Sequence, residues 1–178
     1  GGYSGMGLVS VANQWRAVLM LLPSIFNSVS LPMLSSKQES KMEFEKIMET
    51  AQSIAMMVII PTVTVLLLMN RWIMALYGEE FVAGEAIFVN LLAGAAISGI
   101  GSASGPAIQA TGRMWLGAFM NLTWGLVLLG LTALLVPHLG GLGLALGFTL
   151  AYIFLTLWGY IYLFSRHLIT KSMLIRVF

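Results

Sequence analysis

The chain has 178 residues, of which 58% are hydrophobic and 9% charged, with a formal net charge of +2. Soluble domains carry about 25% charged residues, so this chain, with a mean hydropathy of +0.91, could not cover its own surface in water. Lipid is the solvent that suits it. There is no Cys and no Asp, and only seven Glu, which excludes disulfides, thiolate metal sites and Cys nucleophiles and leaves little for a carboxylate-rich magnesium site.

Five apolar segments are each long enough for the ~30 Å hydrocarbon core at ~1.5 Å per residue. The expectation is an all-α transmembrane protein with spans at about 8–34, 51–69, 86–105, 115–136 and 143–164. The opening Gly1-Gly2-Tyr3 has neither an initiator Met nor a signal-peptide pattern, as expected of a piece of a larger or processed protein.

The first span carries Ser10, Asn13, Gln14, Ser24, Asn27, Ser28 and Leu31 at i, i+3 and i+4 steps, a polar stripe on one helix face. Pro23 and Pro32 interrupt its hydrogen-bond ladder and are expected to bend it. Unpaired polar groups cost several kcal/mol in hydrocarbon, so the stripe should face other helices or a watery cavity. Arg16 lies roughly 60–80° from the stripe's centre at 100° per residue. It reads either as a functional cation suited to an anionic substrate or as a side chain snorkelling to the nearby headgroups.

The only charged run follows, with Lys37, Glu39, Lys41, Glu43, Glu45, Lys46 and Glu49. Phe44, Ile47, Met48 and Ala51 fall at helical spacing within it, which predicts an amphipathic interfacial helix over about 37–50 leading into the second span. Pro61 with Thr62 and Thr64 marks a kink in that span. Asn70 to Gly84, with Arg71, Trp72 and Tyr77-Gly78-Glu79-Glu80, reads as an interfacial belt and turn.

In the third span Asn90, Gly94, Ser98, Gly101 and Gly105 share a narrow face, suited to close helix approach or to lining a passage. Gly117, Asn121, Trp124 and Gly125 do the same in the fourth, and Thr149, Tyr152, Thr156, Gly159 and Tyr160 in the fifth. Tyr160 and Tyr162 also suit an aromatic belt, and His138 and His167 suit interfacial helix ends. No acidic residue lies inside a span, so the embedded relay common in proton-coupled pumps is missing. Glu85, at the mouth of the third span, reads as a solvated interfacial residue.

Lys37, Lys41, Lys46, Arg113, Arg166, Lys171 and Arg176 fall on one side of these spans, the last three in a basic tail over 165–178. Arg71 stands alone on the other. The bias makes the C-terminus cytoplasmic and the N-terminus external.

Five features, in order along nearly the whole chain, resemble the C-terminal half of bacterial polysaccharide flippases, of the multidrug/oligosaccharidyl-lipid/polysaccharide exporter superfamily. They are Tyr3-Ser4-Gly5-Met6 before a polar helix ending Leu31-Pro32-Met33-Leu34-Ser35, and the charged loop after it. Met74-Ala75-Leu76-Tyr77-Gly78-Glu79-Glu80-Phe81, Ile108-Gln109-Ala110-Thr111-Gly112-Arg113 and Leu139-Gly140-Gly141-Leu142-Gly143-Leu144-Ala145 complete the set. The resemblance implies part of one six-helix lobe of a transporter of roughly 12–14 helices built from lobes around a central cavity. It implies a lipid-linked anionic glycan of the undecaprenyl-diphosphate type as substrate, export across the cytoplasmic membrane by alternating access, and a missing N-terminal lobe as partner beside membrane lipids.

The substrate-cavity residues expected on this reading are Asn13, Gln14, Arg16, Ser24, Asn27, Asn90 and Asn121, a cation with amides and a hydroxyl for a sugar diphosphate. A cation-coupled multidrug exporter of the same superfamily and a non-transport membrane scaffold are the alternatives. No catalytic constellation is legible, and no cofactor, metal or nucleic acid is called for.

Overall fold

The computed structural model describes residues 2–37 and 40–170, and Glu39, Lys171 and Arg176 of the charged run and tail lie outside them. The described residues form α1 (Gly2–Ser36), α2 (Lys41–Leu68), α3 (Asn70–Ala75), α4 (Glu85–Ile100), α5 (Ser104–Ala110), α6 (Met114–Leu139) and α7 (Gly141–Ser165). Short 3-10 turns at Glu79–Gly84 and Gly101–Ala103 join α4 to its neighbours. Five helical stretches are long and apolar enough to cross a membrane: α1, α2, the run Glu79–Ala110, α6 and α7. Helix is what such segments must form, because hydrocarbon offers no partner for a free backbone N–H or C=O.

The ends of the described helices and the turns between them fall on two faces. Lys37, Lys41, Lys46, Arg113 and Arg166 mark the basic end, and Arg71, Glu85 and His138 mark the far end, where Arg71 Nε stands 3.9 Å from Glu85 Oε1. The charged stretch, expected as an interfacial helix leading into the second span, forms one helix with that span. Ser40 is extended, and from Lys41 the helix runs unbroken into the span. Lys and Glu are good helix formers, and the helix continues through Pro61, which has no N–H to give the Met57 carbonyl. Phe44 and Met48 on this stretch are fully buried, so its apolar face packs on the protein. Helix also continues through Pro23 and Pro32 in α1.

The core has two halves. Ala12, Leu19, Ile59, Phe88, Leu92 and Ala145 centre the far half. Leu34, Phe44, Met48, Ala107, Met120, Tyr160 and Leu163 centre the basic half. Between lipid-solvated helices the driving force is close packing rather than burial from water, and α7 is built for it on two sides. Toward α4 and α5, a Cβ on Gly94 would stand 2.7 Å from Thr149 Oγ1, one on Gly101 2.5 Å from Thr156 Cγ2, and one on Gly159 2.9 Å from Ser104 Oγ. Thr149 Oγ1 also donates to the Asn90 carbonyl at 2.8 Å, closing this seam. Toward α6, a Cβ on Gly143 would stand 2.5 Å from the Leu135 carbonyl oxygen.

Two sequence expectations change here. Gly125 on α6 meets nothing within 4 Å, because α7 rather than α6 supplies the glycines at their contact. Met120 is the one residue of α6 buried, and Leu122, Leu126, Leu129 and Leu134 are left for lipid. Tyr160 is no belt aromatic: it is wholly buried, with its hydroxyl unpartnered. Tyr162, two residues on, reaches the basic end instead.

α7 stops in a Schellman turn, with Leu168 N–H donating to the Leu163 carbonyl at 3.1 Å and His167 N–H to the Phe164 carbonyl at 2.9 Å. His167 takes the left-handed φ of 57° where glycine is usual. The turn folds the strap 168–170 back under the basic end. Ile169 is buried there, and Thr170 N–H donates to Glu45 Oε1 of α2 at 2.7 Å.

Candidate functional site

α1 is packed on one side only. Ala12, Leu19, Ser30 and Leu34 are buried, whereas Asn13, Gln14, Ser24 and Ser28 of the polar stripe are exposed and Asn27 is half-buried. Among the described residues, then, Gln14, Ser24 and Ser28 are not packed against another helix. These serines are satisfied on their own backbone: Ser24 Oγ donates to the Leu21 carbonyl and Ser28 Oγ to the Ile25 carbonyl, each at 2.7 Å.

Arg16 is half-buried at the edge of the stripe. Its Nε donates to Asn13 Oδ1 at 2.7 Å, and its guanidinium carbon lies 4.7 Å from the centroid of the Phe148 ring on α7. The side chain runs back toward the far end, following the tilt of helical Cα–Cβ bonds toward the N-terminus. Among the described residues no carboxylate pairs with it; the two ion pairs seen there are Lys37–Glu43 and Arg71–Glu85. Among the described residues only the Nε donor is hydrogen-bonded, leaving both Nη groups as a planar fork for an anion. Behind Phe148 stand Trp124 at 5.9 Å and Tyr152 at 5.0 Å between ring centroids, which fix the ring under the cation.

A cavity of about 650 Å³ opens beside this pair between α1, α4, α6 and α7. Ser10 and Asn13, the Phe148 ring and the far-end glycines Gly5, Gly140 and Gly141 line it, with Leu91, Leu128 and Leu144 as its apolar walls. A smaller cavity of about 140 Å³ lies nearer the basic end, lined by neutral polar groups including Ser98, Ser102, Gln109, Asn121 and Tyr152.

The seven residues singled out in the sequence are thus divided. Asn13 lines the larger cavity and holds Arg16 at its edge. Gln14 is exposed next to them, and Ser24 and Asn27 lie farther along α1 and line neither cavity. Asn90 turns its amide onto the Ala86 carbonyl of its own helix at 2.8 Å. Asn121 bonds the Gly117 carbonyl at 3.0 Å and lines the smaller cavity. Phe148 carried no signal in the sequence, because a lone Phe inside an apolar span is what packing alone would produce. Among the described residues no three His or Glu side chains gather as metal ligands would.

Residues 2–84 match the family model of a polysaccharide biosynthesis protein. The match covers just under half of the chain and supports a role in polysaccharide biosynthesis or export. It spans α1 to the 3-10 turn before α4, and so includes the polar stripe, Asn13 and Arg16. No curated protein and no solved structure matches the chain. The polysaccharide biosynthesis family and the five apolar helices are together compatible with a multi-pass membrane protein.

Proposed function

We propose that this chain forms one wall of the translocation cavity of a flippase carrying lipid-linked oligosaccharide, of the undecaprenyl-diphosphate type, across the bacterial cytoplasmic membrane. The observation that carries the reading is Arg16, a cation without a carboxylate partner among the described residues, steadied by Asn13 and Phe148 and bordering a cavity. A guanidinium in that position suits a diphosphate, and the exposed amides of Asn13 and Gln14 suit sugar hydroxyls. The open polar face of α1 is where a second lobe would complete the cavity. The basic end is cytoplasmic by the lysine and arginine bias. The work is translocation without a covalent step, so no catalytic residue is assigned.

The test is glycan export in a strain that depends on the natural gene carrying this chain. Loss of one charge-assisted contact of ~1.5–3 kcal/mol predicts that Arg16→Ala lowers export by about 10- to 100-fold. Arg16→Lys restores part of it, because Lys keeps the charge and loses the fork. Unchanged export in Arg16→Ala removes Arg16 from the substrate path.

A further inference from the structure

At the basic end two guanidiniums converge on one phenol. Arg113 Nη1 donates to Tyr162 Oη at 2.7 Å, with its guanidinium carbon 6.0 Å from the ring centroid. The guanidinium carbon of Arg166 lies 5.6 Å from the same centroid. Both arginines are exposed, and neither pairs with a carboxylate among the described residues. Like charges drawn to one ring repel each other, and an anion shared between them removes that repulsion.

One helical turn deeper the surface changes character. Trp158 precedes Tyr162 by four residues and so lies beneath it on the same side of α7. Trp158 meets Phe119 edge-on at 6.0 Å and Phe154 at 5.6 Å. These rings, with Thr123, Leu157 and Ile161, line an outward-facing apolar groove of about 430 Å³ between α6 and α7. The groove lies on the face that α6 leaves for lipid, away from the cavity at Arg16.

We propose that Arg113, Arg166 and Tyr162 bind the phosphate of an anionic glycerophospholipid, with one acyl chain lying in the Phe119–Trp158 groove. The combination selects the ligand. A free phosphate has no use for the groove, and a zwitterionic lipid brings its own cation against the arginines. Arginines near the membrane surface attract anionic lipid by ~1 kcal/mol each, which for two gives a preference of at least about fivefold over zwitterionic lipid.

The probes are phosphatidylglycerol and phosphatidylcholine with brominated acyl chains, mixed at equal mole fraction into bilayer discs holding the full chain. Bromine quenches indole on contact, and the part due to Trp158 is the part lost in Trp158→Phe, which keeps the aromatic wall. Phosphatidylglycerol is expected to quench Trp158 about fivefold more effectively. Arg113→Gln with Arg166→Gln should abolish the preference, and the paired Lys variants should retain part of it. Equal quenching in the unmodified chain overturns the proposal and needs no variant to do so. A preference surviving the paired Gln variants overturns the role of the arginines. A preference erased by millimolar inorganic phosphate at constant ionic strength makes this a free-anion site instead.

Discussion

α1 and α7 are both long spans rich in small and polar residues, yet they use them for opposite ends. On α7 four such residues are met by other elements: Gly143 by the α6 backbone, Thr149 and Thr156 by Gly94 and Gly101, and Gly159 by Ser104. On α1, Gln14, Ser24 and Ser28 of the stripe are left exposed among the described residues. In lipid, small residues let backbones approach, and polar residues left without a helix partner need water, a ligand or another domain. What separates a seam from a cavity wall is the surface opposite, which does not appear in a single helix's sequence.

This contrast can be broken most severely at Gly143. A Cβ there would press on the Leu135 carbonyl, main chain that cannot swing aside. Gly143→Val should cost about 3 kcal/mol or more, read as a lowered thermal unfolding midpoint in detergent or failure to accumulate. Gly125→Ala on α6, where nothing lies within 4 Å, should instead be neutral or stabilise by up to about 1 kcal/mol. A similar loss at both glycines would show that α6 has a partner on its open face. Next in size is Ile169→Ala in the strap, a truncation within the basic-half core expected to cost about 2 kcal/mol in the same measurement. The smallest effect on stability belongs to the stripe: Gln14→Ala should stay within about 0.5 kcal/mol of the parent chain while glycan export falls. A stability loss at Gln14 as large as at Ile169 would turn the stripe into a second seam.

Much of the fold was legible because the bilayer sets few rules. Five apolar segments became five helices long and apolar enough to cross a membrane, and Gly94 and Gly101 of the expected third-span face met Thr149 and Thr156 of the expected fifth-span face. Three features were not legible, each for a physical reason. The absence of a break between the charged stretch and the second span was not legible, because backbone hydrogen bonding is indifferent to side-chain charge and the helix simply continues from Lys41. Tyr160 looked like a belt residue because tyrosine near a span's end usually is one, and its burial is set by neighbours from α2 and α5 in the same cluster. The reversal after α7 lacked its usual glycine, with His167 in the left-handed position. As for the candidate site, Asn13 and Arg16 were readable from periodicity and rarity. The partner ring on Phe148 was not, because a cation over an aromatic face requires two helices to be docked first.

The continuity of α2 has a mechanical consequence. At 1.5 Å per residue its 28 residues make a bar of ~42 Å, longer than the ~30 Å of hydrocarbon it crosses. The surplus is a handle of charged turns standing clear of the oil, and the strap is tied to that handle through Glu45. If the bar moves as one piece, a tilt of ~10° about its handle sweeps Leu68 through ~7 Å at the opposite surface. A grip at one end of α2 and a displacement at the other are thus two ends of the same helix.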